Sequence, residues 1–172
     1  MTRTTAREIA VRLAFGLDAH QGEEREAVEG FFDEDYYSTL GEADELYADY
    51  PDDAQKGYIE ALVCGVADKR PELDALIEKY ARGWKARRIS RMALSLLRCA
   101  VYETMYMDDI PASVAINEAV EMAKGYEEQE TVSFINGVLG GIVRGEIGKP
   151  ETEPEAEPAV DAAAEDTGAE EA

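Results

Sequence analysis

Few side chains in this sequence are of a kind that reacts, and the rest of interest are of a kind that binds. There is one histidine, His20, and there are two cysteines, Cys64 and Cys99. A single imidazole is too little for a His-based metal or catalytic site. Glu118 and Glu121 stand three apart, a spacing that puts two carboxylates on one helix face. A di-iron centre also needs a Glu-x-x-His pair from each of two helices, so a solvated face is expected for both. The glycines fit neither G-x-x-x-x-G-K-[ST] nor G-x-G-x-x-G. No nucleophile elbow and no paired-cysteine zinc motif occur. The expectation is a protein that is not an enzyme and needs no cofactor or metal.

The binding side chains are aromatic and cationic. Phe134 lies about 110° from the centre of the apolar stripe of its own helical segment, on a wheel of 100° per residue. An aromatic ring off the stripe is a candidate for stacking on an unpaired base, worth roughly 1–3 kcal/mol per base. The competing reading is that it packs on the rest of the molecule. Lys124 also falls off its stripe, at a helix end where the dipole favours a cation. Asn117 is polar and off-stripe, and a structural hydrogen bond is its expected job. Arg3 and Arg7 lie at the start of the first helical segment. Cations there oppose the helix dipole at up to about 1 kcal/mol each when exposed. A local rule broken without evident structural gain hints at function, and Glu8 offsets part of it.

Net charge is −21, with 38 acids against 17 bases. Its distribution matters more than its sum. Pro150 to Ala172 carries nine acids and no base, which leaves the rest at −12. Between Glu23 and Asp53 the only base is Arg25. By contrast Lys79, Arg82, Lys85, Arg87, Arg88 and Arg91 follow one another with no acid between them. A phosphate backbone senses the local field, within a Debye length of about 8–10 Å. This basic run either extends a nucleic-acid path, meets an acidic partner, or is simply a solvated connection.

These residues must be held by helices. Ile89, Met92, Ala93, Leu96, Leu97, Ala100 and Val101 recur at three- and four-residue steps. Ala112, Ala115, Ile116, Ala119 and Ala123 do the same, as do Val132, Ile135, Val138, Leu139, Ile142 and Val143. Each set lies on one helix face, and three such helices in close succession imply a bundle. Pro111 suits a first turn. Gly125 is placed to close its helix in the left-handed region, Thr131 to cap or open the next, and Gly145 and Gly148 to end it.

Upstream, a helix is expected from about Thr4 to His20, with Thr4 or Thr5 as cap and Glu8 at capping-box spacing. Glu23 to Tyr50 is acidic and aromatic and reads as one or two helices, broken near Asp33 or Gly41, that pack their rings on the core. Pro51 or Asp52 opens another helix to about Lys69, in which Gly65 permits close helix approach. Pro71 opens the next, with Leu73, Leu76, Ile77 and Tyr80 inward, and Gly83 and Trp84 lead into the basic connection. No segment shows strand alternation. From Lys149 the chain is rich in Pro, Ala and acid, and is expected to be a disordered tail. Both cysteines are expected in the core, unpaired. No run approaches the ~18 apolar residues of a membrane span. The N-terminus has no apolar core of a signal peptide, so a cytoplasmic protein is expected.

Four stretches together resemble one family. LLRCAVYE, then DIP, then VAINEAVEMAK, then SFINGVLGGI look like the C-terminal half of NusB, a bacterial transcription antitermination factor, in order and in spacing. TTAREIAVRLAF resembles its opening helix. The resemblance spans Arg3 to Gly145 and is weakest in the middle.

It implies an all-α fold of about seven helices in two packed antiparallel subdomains, over residues 1–148, with the tail at 149–172. It implies binding of boxA RNA, a single-stranded element of ribosomal RNA operon leaders. The ribosomal protein NusE would be partner, and the RNA polymerase antitermination complex the destination. Carried over, Arg3 and Arg7 match the family's N-terminal phosphate contacts, in a thinner basic set than many members have. Phe134 matches the phenylalanine at its RNA surface. Lys124, from its own place off the stripe rather than from the resemblance, is expected as a further phosphate contact. Ala93 stands where members often carry an acid near the NusE surface. Two other readings stay open: a protein-interaction or dimer module without RNA binding, and a partner subunit of a ribosomal RNA methyltransferase, since NusB-like domains are fused to such enzymes.

Overall fold

A computed structural model of the chain describes residues 1–83 and 88–148. The expected tail lies outside the described residues. Eight α-helices occur among them and no strand: α1 Arg3–Leu17, α2 Glu24–Phe31, α3 Glu34–Ala43, α4 Asp53–Asp68, α5 Arg70–Tyr80, α6 Arg91–Tyr106, α7 Ala112–Ala123 and α8 Gln129–Ile142. A 3-10 turn follows α3 at Glu45–Tyr47, and one π turn, Val143–Ile147, continues α8. The all-α expectation holds, with one helix more than the seven expected.

The helices form two groups around one core. α1, α2 and α4 pack together, as do α5, α6, α7 and α8, and α6 joins the groups by touching α1 and α4. Ile9, Ile59, Leu62, Leu73, Leu96, Leu97, Ile135 and Leu139 are all fully buried in one continuous cluster. The three C-terminal stripes therefore face inward as their spacing requires. The acidic segment packs its rings as expected: Phe31 meets Tyr37 edge-on at 5.4 Å and Tyr47 at 6.0 Å. Tyr36 and Tyr50 stay partly exposed.

Local signals account for most boundaries. Asp52 caps α4 in a full capping box with Gln55, and Asp33 breaks α2 from α3 by capping α3. Gly65 has its expected role. A Cβ there would lie 2.1 Å from the Tyr102 ring, so only glycine lets α4 and α6 approach this closely.

Several expectations need correction. Thr2, not Thr4 or Thr5, caps α1 by accepting the Thr5 N–H, because the helix starts at Arg3. Gly125 is not left-handed; positive φ is confined to Gly22, Gly83 and Gly148 among the described residues. Gly125 instead donates to the Met122 carbonyl at 3.0 Å. Ala93 is fully buried in α6, so it is no surface position for a partner. Cys99 is buried as expected but Cys64 only half so, and both are free thiols.

Candidate nucleic-acid interface

The four residues named from sequence fall in different surroundings. Arg7, expected as a phosphate contact, has a side chain only 4% exposed. Its Nε donates to both carboxylate oxygens of Glu103 at 3.0 Å, and its Nη1 donates to Glu118 at 3.1 Å. Glu103 also accepts the Tyr58 hydroxyl. Burial pulls the Arg7 pKa down, but the bond and charge of Glu103 more than offset it, so the guanidinium stays charged. Burial, then the Glu103 charge, pushes the Tyr58 hydroxyl well above its ordinary value. Arg7 thus ties α1 to α6 and α7. Glu118 is a partner in this network rather than the solvated carboxylate expected.

Arg3 lies above the same network. Its guanidinium stands 3.7 Å from the centre of the Tyr58 ring, whose surroundings also include Arg7 at 5.9 Å. It is 47% exposed and only 3.6 Å from an exposed Asp109 carboxylate. An exposed pair of this kind contributes about 0–1 kcal/mol and exchanges readily for another anion.

Arg12, one turn beyond Arg7 in α1, is a second hub. It donates to the Tyr126 hydroxyl and to Asp44 at 2.7 Å each, and to Glu8 at 3.1 Å. Tyr126 in turn donates to Glu8 at 2.6 Å. Burial, with Glu8 next, pushes the Tyr126 hydroxyl up to about 12. Of the three N-terminal arginines Arg3 is the most exposed and the least tied to carboxylates.

Lys124 and Phe134 sit at one end of the C-terminal bundle. The short connection from α6 folds α7 back, which brings the end of α7 to the start of α6, and the start of α8 follows. A hydrogen bond from the Ser90 hydroxyl to Glu127 fixes this juxtaposition. Lys124 is exposed and pairs with Glu121 at 2.5 Å one turn away. Phe134, in the second turn of α8, is half-buried and packed against the core, less open than the wheel implies. Asn117, expected in a structural hydrogen bond, is exposed and makes none among the described residues. It lines a groove of about 350 Å³ between α7 and α8 with Ile116, Val120, Asn136 and Arg144.

Comparison with known proteins follows the same stretches. The NusB family model matches residues 4–144. The chain belongs to the NusB family. The Transcription antitermination protein NusB of Acetivibrio thermocellus is 40% identical over 144 residues, covering 84% of this chain and 90% of that protein. That of Ruminiclostridium cellulolyticum is 37% identical over 147 residues, covering 86% and 92%. Among solved structures, T. maritima NusB superposes with a TM-score of 0.63 at 29% identity, covering 84% of this chain and 92% of that one.

What the sequence alone does not reveal in this NusB-family chain is the partner of each charge. Glu103 and Tyr58 stand 96 and 51 residues from Arg7, and neither spacing is periodic. One signal was legible: Arg7 lies between Ala6 and Ala10, both fully buried on the inward face of α1. No His, Cys, Asp or Glu group among the described residues is arranged to hold a metal ion. No helix among them is long and apolar enough to cross a membrane.

Proposed function

We propose that the protein is a transcription antitermination factor that binds boxA RNA together with NusE and carries it to RNA polymerase. One observation carries this reading: the family match spans residues 4–144, from the first helix through VAINEAVEMAK and SFINGVL. The two helices that hold those motifs present Lys124 and Phe134 at one end of the bundle. The protein acts by binding alone. Arg3 and Lys124 exchange their weak surface carboxylates for RNA phosphates. The open part of the Phe134 ring stacks on a base. Arg7 acts as a positioning residue that holds α1, and with it Arg3, on the bundle. NusE adds a second surface, so affinity is shared between two modest sites.

The deciding experiment titrates a labelled boxA oligonucleotide with the protein, alone and with NusE, at two salt concentrations. Salt-sensitive binding that NusE tightens supports the reading. Absence of binding even with NusE contradicts it and favours a protein-interaction module, the second reading, to which the internal pairing of Arg7 and Arg12 lends support.

A further inference from the structure

The basic run before α6 is not used by the site just described, and its charges are unlike those of α1. Nearly every arginine outside it is committed. Arg3, Arg7, Arg12, Arg25, Arg70 and Arg98 each face a carboxylate. Lys79 is paired with Glu146 at 2.7 Å. Arg88 and Arg91 are exposed, and neither meets a carboxylate among the described residues. Arg91 is held in place from below, its guanidinium 5.0 Å from the centre of the Phe15 ring of α1. Arg82 and Arg144 are also exposed and unpaired, but they lie beyond the other end of α8. There Tyr80 packs on Gly141 and Gly145 and bonds Glu146.

Position gives these two cations a use. They flank Ser90, the N-cap of the sixteen-residue α6, whose N-terminus is the positive end of its dipole. Ser90 is bonded to Glu127, three residues beyond Lys124. The start of α6, and Arg88 and Arg91 with it, therefore lies at the same end of the bundle as Lys124 and the connection from α7 to α8. At this junction Glu127 accepts the Ser90 hydroxyl and Glu121 pairs with Lys124. Free guanidinium groups next to a single-strand site neutralise phosphates, and each such contact steepens the salt dependence of binding. An acidic protein partner would have to compete for the same end of the bundle with the RNA.

We propose that Arg88 and Arg91 form a phosphate-binding rim that takes the backbone of single-stranded RNA flanking the element held at Lys124 and Phe134. The inference rests on the RNA reading above and extends its site. The protein then prefers the element embedded in a longer strand over the bare element.

The test compares the bare boxA oligonucleotide with the same element carried in a longer unstructured strand, with NusE present, across a salt series. The wild-type protein is expected to bind the longer strand more tightly and with a steeper slope of log K against log salt. Arg88→Gln/Arg91→Gln is expected to abolish that gain, lower the slope on the longer strand by about 1.4, or roughly 0.7 per lost contact, and leave the bare element unchanged. Arg88→Lys/Arg91→Lys is expected to restore most of the gain, and a thermal melt equal to wild type shows that both variants fold. Equal binding of the two strands by wild type, or a glutamine variant that keeps the gain, overturns the rim while the RNA function stands. Failure of wild type to bind either strand overturns both.

Discussion

The Nε of Arg7 sits 3.0 Å from both carboxylate oxygens of Glu103, so that two charges 96 residues apart in sequence neutralise each other inside the core. Their side chains are 4% and 1% exposed. Removing one partner leaves the other buried and uncompensated, which typically costs about 3–5 kcal/mol. Arg7→Ala is therefore expected to lower the melting temperature by roughly 10 °C, at about 2–4 °C per kcal/mol for a chain of this size. Replacing both partners with apolar residues of similar volume, Arg7→Met with Glu103→Leu, should recover much of the loss, once the Tyr58 hydroxyl is also removed as phenylalanine. A melt of Arg7→Ala within 2 °C of wild type would contradict the buried pair.

The two glycines inside α4 predict opposite outcomes. A Cβ at Gly57 meets nothing within 4 Å, so Gly57→Ala gains helix propensity and is expected to stabilise by up to about 1 kcal/mol. A Cβ at Gly65 runs into the Tyr102 ring, so Gly65→Ala is expected to destabilise by about 1–3 kcal/mol despite the same propensity gain. Trimming Tyr102 to alanine in the Gly65→Ala background should remove most of that penalty. Chemical denaturation of the four proteins measures all of this. Equal effects at both glycines would mean that α4 and α6 do not approach as described.

Stability should fall in alkali. Tyr37 is 2% exposed, and burial, with the nearby Tyr47 and Asp49 next, pushes its hydroxyl up to about 12. A raised tyrosine pKa means the folded state resists ionisation. The contribution is complete below the unfolded value near 10 and is lost between about pH 10 and 12, worth roughly 2–3 kcal/mol in all. Tyr37→Phe removes the ionisable group, so its unfolding free energy should drop less steeply across that window than that of wild type. Parallel curves would show that Tyr37 does not titrate with unfolding.

Helix faces were legible in the sequence because periodicity is a local property. The stripes of α6, α7 and α8 and the cap at Asp52 follow from residues within a few positions of one another, whereas Gly65 marks a close approach without naming its partner, Tyr102. The state of each arginine was not legible. Arg3, Arg7 and Arg12 lie within ten residues and look alike, yet one is exposed, one is buried, and one is bound to Asp44, Glu8 and Tyr126. Only tertiary packing decides which carboxylate reaches which guanidinium. Ala93 shows the same limit in reverse: it sits on the inward stripe, and its burial is what places it out of reach of a partner. The proposed phosphate contacts narrow accordingly to Arg3 and Lys124, with Arg7 held in the interior.

Neutralising Lys124 should change the salt response more than the affinity at a fixed salt. It is exposed, and its pairing with Glu121 is a surface one. Lys124→Gln is expected to lower the slope of log K against log salt for boxA RNA by about 0.7, with the thermal melt unchanged. An unaltered slope in a binding-competent protein would remove Lys124 from the interface.

The measurement that bears most directly on the account is the equilibrium affinity of Phe134→Ala for boxA RNA with NusE, beside wild type, at two salt concentrations. Loss of a stacked ring should weaken binding by about 1–3 kcal/mol and leave the salt slope as it was, since no charge is removed. Wild-type affinity in a Phe134→Ala protein that is still folded would contradict an RNA site at this end of the bundle.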